Sequence, residues 1–188
     1  MNQAPSRYSK AGLALHWLTA IIVLVAFIYG PGGSEARVYA PRRDFDRQLH
    51  ETLGLLVLLL AIVRVIWRSR AVVPTAPASA RWMHVSAKAV QHGLYALLFI
   101  VPLSAIIGAW LEAHPLTLLA GVQIGPLLGE SHTLGSQIAE LHGWLGDVIL
   151  WIAGVHAAAA LYHHFILKDR VLASMVPHWL IRKGPTEM

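Results

Sequence analysis

Four long apolar runs punctuate the chain, separated by polar or Gly/Pro-rich stretches. The first covers residues 11–29 and stops at Gly30-Pro31-Gly32-Gly33. A helix of about 20 apolar residues is roughly 30 Å long, the thickness of a bilayer's hydrocarbon core. A secretory leader has a shorter apolar region and an Ala-x-Ala cleavage site. This run lacks both features and contains His16-Trp17, so it reads as a retained span. Further helices are predicted at about 46–68, 85–111 and 141–168, with Pro102 kinking the third. The loop 112–140 has no Lys or Arg, and its apolar stretch 115–128 is a candidate for the membrane interface. Short connections between spans predict an all-α integral membrane four-helix up-down bundle. It is read as a single domain over residues 1–188.

Composition agrees with that pattern. The chain is 56% hydrophobic and 13% charged, where soluble domains carry about a quarter charged residues. Cysteine is absent, which excludes disulfides, thiolate haem ligation, iron–sulfur clusters and covalent haem attachment. The net charge of +5 does not point to nucleic acid, because the basic residues flank the apolar runs. Arg7, Lys10, Arg64, Arg68, Arg70, Arg81, Lys88, Lys168, Arg170, Arg182 and Lys183 fall at one end of the predicted bundle, and Arg37, Arg42, Arg43 and Arg47 at the other. The positive-inside rule then places both termini in the cytoplasm.

Eleven histidines are many for this length. Ionisable groups inside a span are costly and commonly functional. His142 and His156 lie fourteen residues apart. On a helix that spacing returns them to nearly one face, roughly 21 Å apart along the axis. They cannot share one metal ion. His16 opens an outward-running span and His50 opens an inward-running one, so depth alone pairs His16 with His156 and His50 with His142. Each pair joins two different helices. Zinc takes about four ligands, whereas two axial imidazoles suit a haem, whose porphyrin supplies the other four nitrogens. Two stacked bis-histidine haems in the bundle core follow. A proton relay of spaced histidines is the rival reading, but it leaves the pairwise depth match unexplained.

Small residues lie one turn from each histidine: Gly12, Gly54, Gly146 and Ala160. They leave room for a porphyrin plate, or equally serve bare helix packing. Arg64, fourteen residues after His50, reaches the inner haem's depth. It is either a propionate partner or a side chain snorkelling to the interface.

These residues carry a resemblance over nearly the whole chain. His16-Trp17, His50-Glu51-x-x-Gly54 with Arg64, Leu94-Tyr95 with Pro102-Leu103 and Gly108, and His142-x-x-Leu145-Gly146 are similar to the bacterial cytochrome b-561 family. His156-Ala157-Ala158-Ala159-Ala160-Leu161, His163-His164 and Lys168-Asp169 complete the match. The resemblance implies two b-type haems with those ligand pairs, a location in the inner membrane, and electron exchange with a quinone. Within the family the chain resembles the superoxide oxidase branch, in which superoxide passes electrons through the haems to ubiquinone. On that reading Arg37, Arg42, Arg43 and Arg47 are candidates to guide the anion, or are simply solvated surface. His163, one face with His156 and about 10 Å deeper, His164, Lys168 and Lys88 are candidates for a cytoplasmic-side quinone site. The alternative is an ordinary basic helix end. Two other functions stay open: an electron-wire subunit docked to a dehydrogenase or hydrogenase, and a non-redox transporter.

Overall fold

Ser9 opens the first helix, α1 (Lys10–Tyr29): its hydroxyl accepts the Gly12 N–H at 3.1 Å. Such caps contribute about 1 kcal/mol. Gly30 ends the helix, and its N–H turns back to the Phe27 carbonyl. A short α2 (Glu35–Val38) and a 3₁₀ turn at Pro41–Arg43 lead into α3 (Asp44–Arg70). Asp44 and Asp46 in its first turn and Arg68 and Arg70 in its last complement the helix dipole. α4 (Arg81–Leu111) carries Pro102 inside it, and α5 (His132–Phe165) is the longest helix, at 34 residues. α6 (Val171–Met175) closes the chain's described part. The computed structural model describes residues 8–32, 34–71, 80–169 and 171–176. Arg7, Arg170, Arg182, Lys183 and residues 72–79 of the second connection lie outside them.

All four long helices are apolar enough to cross a membrane. The protein is all-α apart from one small hairpin. Its strands, β1 (Leu116–Thr117) and β2 (Gln123–Ile124), pair antiparallel, Leu116 opposite Ile124. The helices form two pairs, α1 with α3 and α4 with α5, joined by a lighter α3–α4 contact. Against α1 and α3, α5 makes only sparse backbone approaches. The side chains that fill this gap matter below. Ile22, Val57, Leu60, Ala61, Leu97, Leu98 and Ile149 form the buried core. It lies midway along the spans, between the level of His50 and His142 and the level of His16 and His156. We call these the hairpin end and the basic end.

The helix bounds differ from the hydropathy pattern in one place of consequence. α5 starts at His132, not near 141, so the loop shrinks to residues 112–131. Residues 132–140 are polar and contain Gly135, so they carry no span signal. Helix continues there because it packs on the end of α4. The Ser131 N–H donates to the Leu111 carbonyl. A Cβ on Gly135 would lie 3.1 Å from the Glu112 nitrogen and 3.2 Å from the Leu111 carbonyl carbon. α4 likewise starts four residues before the apolar pattern, at Arg81, and α5 ends at Phe165, before 168.

The close crossing gives a test. Gly135→Ala should push α5 off α4 and cost about 1–3 kcal/mol, the usual scale of overpacking. Gly143→Ala, whose Cβ would meet nothing within 4 Å, should change little. Thermal unfolding of the purified protein compares them.

Candidate functional site

The structure brings four histidines together in two pairs, one at each depth. His16 of α1 faces His156 of α5 with ring centres 6.4 Å apart and planes at 75°. His50 of α3 faces His142 of α5 at 5.9 Å and 82°. A metal held between two imidazole nitrogens at about 2 Å each puts the ring centres roughly 6 Å apart. Both pairs have that spacing. Among the described residues no three His, Cys, Asp or Glu side chains converge on one point. The imidazoles meet in twos, which suits a macrocycle that brings its own equatorial nitrogens.

At the hairpin end the two rings are oriented by the backbone. His50 Nδ1 lies 2.7 Å from the Ala26 carbonyl oxygen, and His142 Nδ1 lies 2.9 Å from that of Val101. A carbonyl only accepts, so each Nδ1 carries the proton and each Nε2 keeps its lone pair for a metal. Ser104 donates to the same Val101 oxygen at 2.7 Å and stands 3.4 Å from His142 Nδ1. These carbonyls are the functional groups that sequence reasoning missed.

An apolar cavity, partly open to the outside, lies here between α1, α3, α4 and α5. His50 and His142 line it with Gly54, Gly146, Ala105 and Leu116. A Cβ on Gly54 or Gly146 would meet nothing within 4 Å, so both glycines border open space. The residues present therefore fit a porphyrin plate. Gly12 differs: a Cβ there would meet Ser9 Oγ at 3.2 Å and Trp67 Nε1 at 3.8 Å. Its spare volume is taken by α1's own cap and by α3, so it leaves no slot for a plate. Ala160 is half-buried one turn beyond His156.

The hairpin is pinned beside the ligand-bearing turn of α3. Glu51 accepts from the Thr117 N–H and, at 3.1 Å, from Arg47. Thr52 Oγ1 accepts the Leu119 N–H at 2.9 Å. Arg47 is buried, also pairs with Asp44, and lies 5.2 Å from the centre of the Tyr39 ring. Tyr39 stacks on His114, whose Nε2 donates to Glu35 at 2.7 Å. Burial and the Glu51 charge push the Tyr39 phenol up. Burial, then Glu35, pushes the Glu112 carboxyl up. Of the four arginines at this end, Arg43 is tied to Asp46 at 3.0 Å and Arg47 to two carboxylates. Arg37 and Arg42 stay exposed.

At the basic end Arg64 does not snorkel. Its Nη2 lies 3.1 Å from His16 Nδ1, and its guanidinium lies 5.2 Å from the centre of the Tyr95 ring. Among the described residues no carboxylate pairs with it. His163, His164 and Lys168 share this end, but His163 is turned to Asp169, at 2.5 Å, rather than to the other two. His164 stacks edge-on with Phe165. Lys168 adopts a left-handed conformation (φ 53°) in the turn that ends α5, and the Asp169 N–H closes that turn on the His163 carbonyl. Lys88 is exposed on α4. Trp17, beside His16, donates to the Met175 carbonyl at 2.8 Å and fastens α6 to α1.

Comparison with known proteins follows from this geometry. Residues 7–178 match the family described as prokaryotic cytochrome b561. The chain is 28% identical to cytochrome b561 homolog 2 of Escherichia coli over 176 residues, covering 93% of this chain and 94% of the relative. It is 29% identical to the probable superoxide oxidase CybB of Yersinia pestis over 175 residues (91% and 96%). It is 32% identical to cytochrome b562 of Cereibacter sphaeroides over 187 residues (94% and 98%).

Two outcomes are expected of this site. Gly146→Leu should leave helix content unchanged by circular dichroism but lower bound haem, because the side chain enters the space beside His142. The second concerns Asp169. Burial works to raise its carboxyl, but the hydrogen bonds from His163 and the Val171 N–H outweigh it, so it stays below the ordinary range. Stability from a depressed carboxyl is present above its unfolded value of about 3.9 and is lost as pH falls through the folded value. Hydrogen exchange at the Val171 amide, taken relative to its intrinsic rate, should therefore accelerate below about pH 4. In Asp169→Ala, which removes the acceptor, it should already be fast at neutral pH.

Proposed function

The chain belongs to the prokaryotic cytochrome b561 family, and from that premise we propose that it is a two-haem membrane cytochrome that carries electrons between its hairpin face and a quinone. The family implies haem b and removes the transporter reading. The observation that carries the proposal is the pair of facing imidazole couples at two depths. His50 and His142 would hold one haem, and His16 and His156 the other. Gly54, Gly146 and Ala160 would leave room beside them, and Arg64 would offer a cation to an acidic group of the inner one. Haem b supplies reversible one-electron chemistry when bound. Two histidines at each haem would leave no open metal site for a substrate. The chain's own work is to fix the rings, exclude water with the central apolar core, and hold the plates at set depths.

The basic end faces the cytoplasm of a bacterial inner membrane on this reading, since Lys10, Arg64, Arg68, Arg70, Arg81, Lys88 and Lys168 gather there. The electron donor is superoxide. Support comes from the relative named probable superoxide oxidase and from exposed Arg37 and Arg42 on the hairpin face. Each superoxide yields dioxygen and one electron. Two such electrons and two protons turn one ubiquinone into its quinol. His163, His164, Lys168 and Lys88 lie at the end where ubiquinone binds, with His163 and Asp169 as the proton-carrying pair nearest His156. A carrier subunit for a soluble dehydrogenase or hydrogenase is the second reading. It is favoured by the pairing of Arg43 and Arg47 with acids, which among the described residues leaves Arg37 and Arg42 as the free arginines at this face.

The experiment is direct. Purified protein should carry two haems per chain by pyridine haemochrome assay. Added superoxide should reduce them, and a soluble ubiquinone analogue should reoxidise them. Two haems that ignore superoxide but accept electrons from quinol would move the function to the carrier reading. One haem per chain would sink the paired-layer proposal.

A further inference from the structure

The two layers share spacing and ligand type, and their ring planes cross at similar angles, 75° and 82°. Ligand identity and orientation therefore do not distinguish them. What surrounds the rings does. Resting on the two-haem reading, we propose that the two pockets are electrostatically opposed, so that the hairpin-end haem has the lower reduction potential and electrons run downhill toward the basic end.

Three features of the hairpin end favour the oxidised, more positive iron. His50 donates its Nδ1 proton to Ala26, in the last turn of α1. The Gly30 N–H bonds Phe27 instead of Ala26, so the Ala26 oxygen lies among the helix's unpaired terminal carbonyls. That oxygen carries part of the negative end of the α1 dipole. An imidazole that donates to such an acceptor is a more basic ligand. His142 does the same to Val101, so both ligands of this layer are enriched in electron density. Glu51 also lines the cavity beside His50. It shares Arg47 with Asp44, two carboxylates against one guanidinium. The fixed charge beside this pocket is net negative.

The basic end is built the other way. Arg64 sits against His16, and among the described residues no carboxylate neutralises it. With iron on Nε2, His16 Nδ1 is protonated and cannot accept from Arg64. The guanidinium then turns to an anion in the pocket, and a propionate meets that need. Either way a cation stands beside this haem and favours its reduced form. Among the described residues His156 has no carbonyl acceptor for its Nδ1. One layer thus has two enriched ligands and excess negative charge. The other, among the described residues, has a ligand without a carbonyl acceptor and a cation without a protein carboxylate. Hydrogen bonds to ligands and local charge are the main levers a protein has on a haem's potential.

The test is a potentiometric titration of the purified, haem-loaded protein, followed by its α-band. Wild type should titrate in two steps. His142→Ala should remove the lower step and His16→Ala the higher one. Arg64→Gln should lower the midpoint of the higher step and leave the other in place, while Arg64→Lys, which keeps the charge, should retain it. Glu51→Gln, which keeps an acceptor for the Thr117 N–H, should raise the lower step alone. If Arg64→Gln sheds its haem, the Glu51→Gln shift and the histidine assignments decide the matter. Loss of the higher step in His142→Ala overturns the proposal with the pairing intact. So does a Glu51→Gln midpoint that does not move. If His142→Ala and His16→Ala remove the same step, the pairing itself is wrong and the proposal falls with it.

Discussion

An imidazole in hydrocarbon must find partners on both nitrogens, and that requirement organises this bundle. A buried polar group without a partner costs several kcal/mol by order of magnitude. At the hairpin end the cost is met on one side by the Ala26 and Val101 carbonyls. On the other side each Nε2 faces its opposite number across the gap between α5 and the α1–α3 pair. The gap is therefore no packing fault. On the two-haem reading it is the width that two imidazoles and a metal between them would need, and two of the rings are held to it by backbone acceptors. The apolar core around Ala61 lies between the two levels and keeps them separate.

The elements around the hairpin end depend on the same turn. Glu51 and Thr52 directly follow His50, and both accept backbone N–H groups from the hairpin region. One turn of α3 thus bears a ligand, anchors the loop that covers it, and receives the buried Arg47. Among the described residues the basic end has no such cover. His156 is exposed there, and what sits beside it is a cation and the α6 fastening at Trp17. The asymmetry of cover parallels the asymmetry of charge.

The paired levels were legible in the sequence because helical rise is nearly constant. Fourteen residues between His142 and His156 give a depth whatever the helices pack against. The inward aim of Arg64 was only half legible, since the same spacing serves a snorkelling side chain. Four things were not legible. Backbone carbonyls carry no residue signature, so Ala26 and Val101 gave none. The early start of α5 rests on the contact of Gly135 with the end of α4, a tertiary effect that overrides hydropathy. Gly12 looked like Gly54 and Gly146 by position, yet its space is claimed by Ser9 and Trp67. A periodicity finds the face of a helix but not what the neighbouring helix puts there. His163 was placed at the right end, but its turn toward Asp169 depends on the left-handed Lys168, which side-chain chemistry does not announce.

Helix α5 supplies one imidazole to each level, and it is the last of the four long helices in chain order. During biosynthesis neither level exists until that helix has been made and threaded beside the others. Three inserted spans leave His16 and His50 facing lipid with nothing opposite. Pairing of the imidazoles is in this sense a checkpoint on complete translation: a chain arrested before residue 142 has neither pair, and one arrested between 142 and 156 has only the pair under the hairpin.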